Sequence, residues 1–105
     1  MKLEGKLKEG FFEWFVNTKY YQSYLSNIEQ IIKAHELWFK DLPQSARFGL
    51  IQEYAEDVLD FSIFIKGNGS WFVSKSLNEW YSSKECSRPE AEIKVVEQLN
   101  EIVNK

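Results

Sequence analysis

Apolar residues recur at three- and four-residue steps through most of this chain, and that spacing predicts helices. Near the start, Leu7, Phe11, Trp14 and Phe15 share it. Gly5 and Gly10 lie among them, and a break is expected at residues 17–19, before Tyr20 and Tyr21. A second helix is expected over about residues 26–42, because Ser26 and Glu29 have the spacing of a capping box. Ile28, Ile31, Ile32, His35, Trp38, Phe39 and Leu42 then form one apolar stripe. Pro43 ends that helix by removing an amide donor and is suited to opening the next. A third helix is expected over about residues 43–59. Phe48, Ile51, Ala55, Val58 and Leu59 fall on one side of its wheel, and Glu53, Glu56, Asp57 and Asp60 on the other.

The period changes after residue 60. Phe61, Ile63 and Ile65 alternate with Ser62, Phe64 and Lys66, which is the two-residue period of a strand. Gly67, Asn68 and Gly69 tolerate positive φ, and Trp71, Phe72 and Val73 restart the apolar run, so a β-hairpin is expected here. Both faces of the FSIFI segment carry large apolar groups, which predicts a packing partner on each. Residues 76–86 read either as a third strand, favoured by Trp80 and Tyr81, or as a loop. Ser87 with Glu90 makes a second capping box, opening a last helix whose stripe is Val95, Val96, Leu99, Ile102 and Val103. The order α-α-α-β-β-(β)-α is that of an α+β fold: N-terminal helices, a small antiparallel sheet and a C-terminal helix packed on it. One compact domain is expected, with a helical segment over residues 1–42 and the α-β-β-(β)-α core over 43–105.

Composition narrows the function classes. The chain has 105 residues and a formal charge of −3, which opposes non-specific attraction to phosphate backbones. With one cysteine, Cys86, no internal disulfide can form, and one histidine, His35, leaves a His/Cys zinc site short of ligands. No apolar run approaches the length of a membrane span, and charges interrupt residues 1–10, so a cytoplasmic protein without a secretory signal is expected. Aromatic residues make up 16% of the chain, enough to raise the question whether they all fit inside.

None of the chemistry-bearing residues assembles into a catalytic motif. His35 lies in the apolar stripe of the second helix, where a packed imidazole is the expectation. Cys86 begins the approach to the last helix, but Glu85, Glu90 and Glu92 disfavour a thiolate and no base accompanies it. Glu53, Glu56, Asp57 and Asp60 lack a histidine companion and read first as a solvated face, second as an acidic stripe that could meet a basic surface. The GNGS turn is followed by neither a helix nor a Lys-Ser/Thr pair, so it is no phosphate loop. No enzyme and no cofactor is expected.

Two resemblances bear on function. The stretch LPQSARFGLIQEYAEDV resembles a pattern of about LPxSMQxGVxxDFFDS found in small proteins of phages and prophages. The ending SRPEAEIKVVEQLNEIVNK is similar to their SRxEAxxxAIxxANEIYN. The chain differs at Tyr54 and Ala55, and has Val58 and Leu59 where Ser-x-Gly is usual. The resemblance covers about residues 40–105 and implies a mobile-element origin without enzymatic activity. The order α-β-β-(β)-α also resembles a double-stranded-RNA-binding domain. There a lysine-rich helix start would be implied, and residues 87–92 supply one base and two acids instead.

The expectation is therefore a non-enzymatic protein-binding module that docks on a larger host protein, a nuclease or ribonucleoprotein among them. Inhibition of a bacterial defence nuclease, such as a CRISPR effector, is one concrete form. Its anchors would be Phe11, Phe12, Trp14, Phe15, Tyr20, Tyr21 and Tyr24, since their rings fall on more sides of a helix than one core face absorbs. Glu53, Glu56, Asp57 and Asp60 would steer the encounter. The alternatives are a nucleic-acid-binding accessory domain using Lys66, Lys75, Lys84 and Arg88, and a homodimer whose aromatic helix completes its own core.

Overall fold

A computed structural model describes residues 1–18 and 28–105 of the chain. Along it run helices α1 (Gly5–Thr18), α2 (Ile28–Lys40) and α3 (Gln44–Asp57). Strands β1 (Ser62–Ile65), β2 (Trp71–Lys75) and β3 (Asn78–Ser82) follow, and helix α4 (Arg88–Val103) closes the chain. The α+β class expected from the pattern is the one observed. The Ser26 end of the second helix lies outside the described residues, as do the side chains of Ile28, Ile31 and Ile32.

The three strands form one antiparallel sheet in the order β1-β2-β3. Residues 78–82 are thus a strand, favoured by the tight two-residue loop that brings Lys75 opposite Asn78. In that loop Ser76 has φ 57° and Leu77 does not have positive φ, the sign pattern of a type II′ turn that normally places glycine first. Ser76→Gly is therefore expected to raise the unfolding free energy by about 0.5–1 kcal/mol, relief of left-handed strain exceeding the added chain entropy. A lowered urea midpoint would contradict this.

Helices α3 and α4 pack on each other and on one face of the sheet, and α1 packs against both of them and against α2. Alternation supplies the face the sheet turns inward: Phe61, Ile63 and Val73 are buried, with Ile65, Trp71 and Trp80 half-buried beside them. From α4 come Val95, Val96 and Leu99, and from α3 Phe48, Ile51, Tyr54 and Ala55. Helix α3 stops at Asp57, before the expected end, and Val58 is exposed because the chain turns there through Asp60 at φ 61°.

The expected cap of α4 is present: Ser87 Oγ accepts from the Glu90 amide at 3.3 Å. At its other end, Asn100 and Asn104 hold the start of the chain. Asn100 Oδ1 accepts from the Glu4 amide (2.9 Å) and its Nδ2 donates to the Lys2 carbonyl (2.5 Å). Asn104 Oδ1 accepts from the Lys6 amide (2.6 Å), satisfying one of the donors that an α-helix leaves without a partner in its first turn. Its Nδ2 donates to the Glu4 carbonyl at 2.9 Å. Asn100, in the last turn of α4, and Asn104, its C-cap, thereby cap α1 and fix its direction.

Candidate functional site

The face of the sheet turned away from α3 and α4 carries the most unusual surface among the described residues. The strand register places Phe64 opposite Phe72, and Phe72 opposite Tyr81, so three rings form one row across all three strands. Phe64 is 59% exposed and Tyr81 71%, with Phe72 half-buried between them. These rings line a shallow depression of about 450 Å³, with Lys66 and Glu79 among its polar residues. The next row is polar: Ser62, Ser74 and Glu79. Two exposed rings and a half-buried one on a single row forgo much of the burial that stabilises the others.

The two edges of the sheet differ. On β1, Gln52 Nε2 of α3 donates to the Ile63 carbonyl (3.4 Å) and the Ile63 amide donates to Glu56 Oε2 (3.5 Å), so side chains of the helix cover that edge. β3 is the other edge. Among the described residues no hydrogen bond reaches its outward backbone groups, which makes it a template for another strand. The exposed Leu77, at 99%, stands at the tip of its hairpin.

The anchors expected on α1 are displaced by this arrangement. Phe11, Phe12 and Phe15 are core residues, buried because α1 has neighbours on several sides rather than one. Phe11 lies 5.5 Å from Phe15, stacked, and 5.2 Å from Phe39 of α2. Trp14 is half-buried, its ring 5.4 Å from that of Tyr54. Burial, and secondarily the Glu13 carboxylate, raise the Tyr54 hydroxyl above its ordinary 10.0. Tyr20, Tyr21 and Tyr24 lie outside the described residues.

Nor do the four acids form one helix stripe. Glu56 is turned to the β1 edge, Glu53 is half-buried, Asp57 is the last residue of α3, and Asp60 lies beyond it in the left-handed link. His35 packs edge-on against Phe15 at 5.8 Å. Cys86 Sγ donates to the Gly69 carbonyl at 3.3 Å. Two of the four cations considered for nucleic acid are engaged elsewhere: Lys75 Nζ lies 5.1 Å over the Phe61 ring, and Arg88 Nε lies 3.5 Å from Glu92 Oε2.

The expectation that both faces of FSIFI are covered is not met among the described residues, where Phe64 is left exposed and no helix lies on its side. The signal that finds this row is the period of two itself: Phe64 must point opposite to Phe61, Ile63 and Ile65. Among the described residues no cluster of three His, Cys, Asp or Glu side chains could hold a metal ion, and no helix is long and apolar enough to cross a membrane. Comparison with protein-family models, with curated proteins and with solved structures returns no match.

Proposed function

We propose that this chain is a non-enzymatic protein-docking module, and that it binds an extended segment of a partner protein along β3. The observation that carries this reading is the exposed row Phe64, Phe72 and Tyr81 running out to an uncovered strand edge. Backbone groups of β3 supply hydrogen bonds to an added strand, and alternate side chains of that strand meet the aromatic row. Lys66 and Glu79 flank the rings, so the segment it suits is apolar at its centre, with an acid and a base to match them. The resemblance of residues 40–105 to phage and prophage proteins supports a host protein as partner, a defence nuclease being one form.

Phe64→Ala and Tyr81→Ala test the surface directly. A photo-cross-linker placed at Leu77, on the β3 hairpin tip, should join one host protein through an extended segment. Each substitution should then weaken binding of that purified protein by tenfold or more, since an anchoring ring carries about 2 kcal/mol. The unfolding free energy should change by less than about 0.5 kcal/mol, because both rings are exposed. Wild-type affinity in both variants would sink the proposal, as would a concentration-dependent dimer that buries β3 against its own copy.

A second reading rests on the same row. Rings exposed across an antiparallel sheet can also stack nucleobases, with Lys66 beside them. The negative charge of the chain and the engagement of Lys75 and Arg88 weigh against it. Tight, Tyr81-dependent binding of single-stranded RNA or DNA in a low-salt mobility-shift assay would favour it over protein docking.

A further inference from the structure

Apart from the aromatic row, with no lining residue in common, lies a second groove walled by helices. Four separate parts of the chain converge there: the segment before α1, α1 itself, the last turn of α2 and the first turn of α3. They bring Lys2, Lys8, Lys40 and Arg47 to the walls of a depression of about 450 Å³, a volume in the range of small-ligand sites. One carboxylate, Glu36, shares the lining, and it pairs with Lys8 at 3.4 Å. Among the described residues Lys2, Lys40 and Arg47 have no carboxylate partner. This concentration of positive charge stands against a chain of net charge −3.

Arg47 gives the groove its chemical character. Its Nε is buried and has no hydrogen-bond acceptor among the described residues. Buried polar groups almost always have partners, so this N–H, which no acceptor among the described residues holds, leaves the guanidinium free to turn its fork toward an anion in the groove that Arg47 lines. The planar fork of arginine matches a tetrahedral oxyanion through two parallel hydrogen bonds, while ammonium groups act as point charges around it. With Lys8 paired to Glu36, the three other cations of the lining have no carboxylate partner among the described residues and suit a doubly charged group. The rings of Phe12 and Phe39, 5.4 Å apart and perpendicular, add an apolar wall.

We infer that this groove is a binding site for a phosphate-bearing small molecule, with Arg47 as its bidentate donor and Lys2, Lys8 and Lys40 as its counter-charges. The site is separate from the aromatic row and does not depend on the docking function proposed for it.

Titration of the full chain with inorganic phosphate, followed by amide and arginine Nε–H resonances, tests it. Saturable shifts are expected at Lys8, Lys40 and Arg47, with none at Phe64 or Tyr81. Arg47→Gln should weaken phosphate binding by about tenfold or more, and Lys40→Gln by about threefold or more, and both effects should shrink with added salt. Arg47 is partly inside, so Arg47→Gln is interpreted only alongside its thermal unfolding; exposed Lys40 decides the case if that variant does not fold. Adenosine diphosphate separates two sources of the phosphate: binding much tighter than inorganic phosphate assigns an organic body to the Phe12–Phe39 wall, and equal binding assigns the phosphate group alone. Failure to saturate, succinate binding as tightly as phosphate, shifts centred elsewhere, or unchanged affinity in Lys40→Gln would overturn the inference.

Discussion

Phe11→Ala is expected to lower the unfolding free energy by about 4 kcal/mol, close to what full truncation of a buried ring costs. Phe11 has no exposed surface. Its ring centre lies 5.0 Å from Phe12, 5.2 Å from Phe39 and 5.8 Å from Tyr54, the first and last edge to face. Removing it deletes contacts with residues of α1, α2 and α3 at once, and the walls cannot collapse into the space because each is itself a rigid ring. Aromatic pairs contribute about 0.5–1.5 kcal/mol beyond area burial, which places this substitution high in the usual range. A domain of this size has a total stability of about 5–15 kcal/mol, so a large share would go. Urea unfolding of Phe11→Ala beside Tyr81→Ala makes the comparison: one a large loss, the other almost none. A loss below about 1 kcal/mol for Phe11→Ala would return α1 to the surface and with it the idea of an N-terminal docking helix.

That contrast also explains which features the amino-acid pattern revealed. Local signals were legible wherever one neighbour decides them. Ser87 and Glu90 mark the start of α4, and Val95, Val96 and Leu99 mark its buried stripe, because α4 turns one continuous face to all its neighbours, the sheet, α3 and α1. The switch to a period of two marks β1 and the hairpin. Helix α1 defeats the same logic. Its rings occupy several sides, which on a helix with one packed face would leave some in water, but α1 touches α2, α3 and α4 and buries Leu7, Phe11, Phe12, Phe15 and Val16 together. The number of neighbours an element has is a tertiary property, and no periodicity encodes it. The same holds for Arg47, Lys40, Lys8 and Lys2, which share a groove only after three helices and the leading segment are assembled. Phe64 is the opposite case. Its strand parity was readable, and only its exposure, with no covering layer among the described residues, was not.

Gly69→Ala is expected to cost about 3 kcal/mol or more, or to prevent folding, and the reason is entirely backbone. Gly69 has φ +85°, a conformation that an L side chain occupies at a cost of about 1–2 kcal/mol. A Cβ there would stand 1.8 Å from the Cys86 carbonyl oxygen and 2.6 Å from its carbon. Neither strand of chain can give way cheaply. The Cys86 amide donates to the Asn68 carbonyl at 3.1 Å, Cys86 Sγ donates to the Gly69 carbonyl, and the Lys66 amide donates to the Ser70 carbonyl at 2.8 Å. Overlap of this kind adds about 1–3 kcal/mol to the dihedral strain. The β1–β2 turn and the segment before α4 are thus one unit: separating them frees Ser87, whose side chain starts α4, and loosens the end of the sheet that carries Lys66 beside the aromatic row. Gly67→Ala is the control, since a Cβ there meets nothing within 4 Å, and its stability should change by less than about 0.5 kcal/mol. Partner binding should vanish in Gly69→Ala in proportion to the unfolded fraction, whereas Tyr81→Ala should lose it while fully folded. Gly69→Ala matching Gly67→Ala in its urea midpoint would mean that the turn and the Cys86 segment separate at little cost, and the rigid support of the aromatic row would go with that contact.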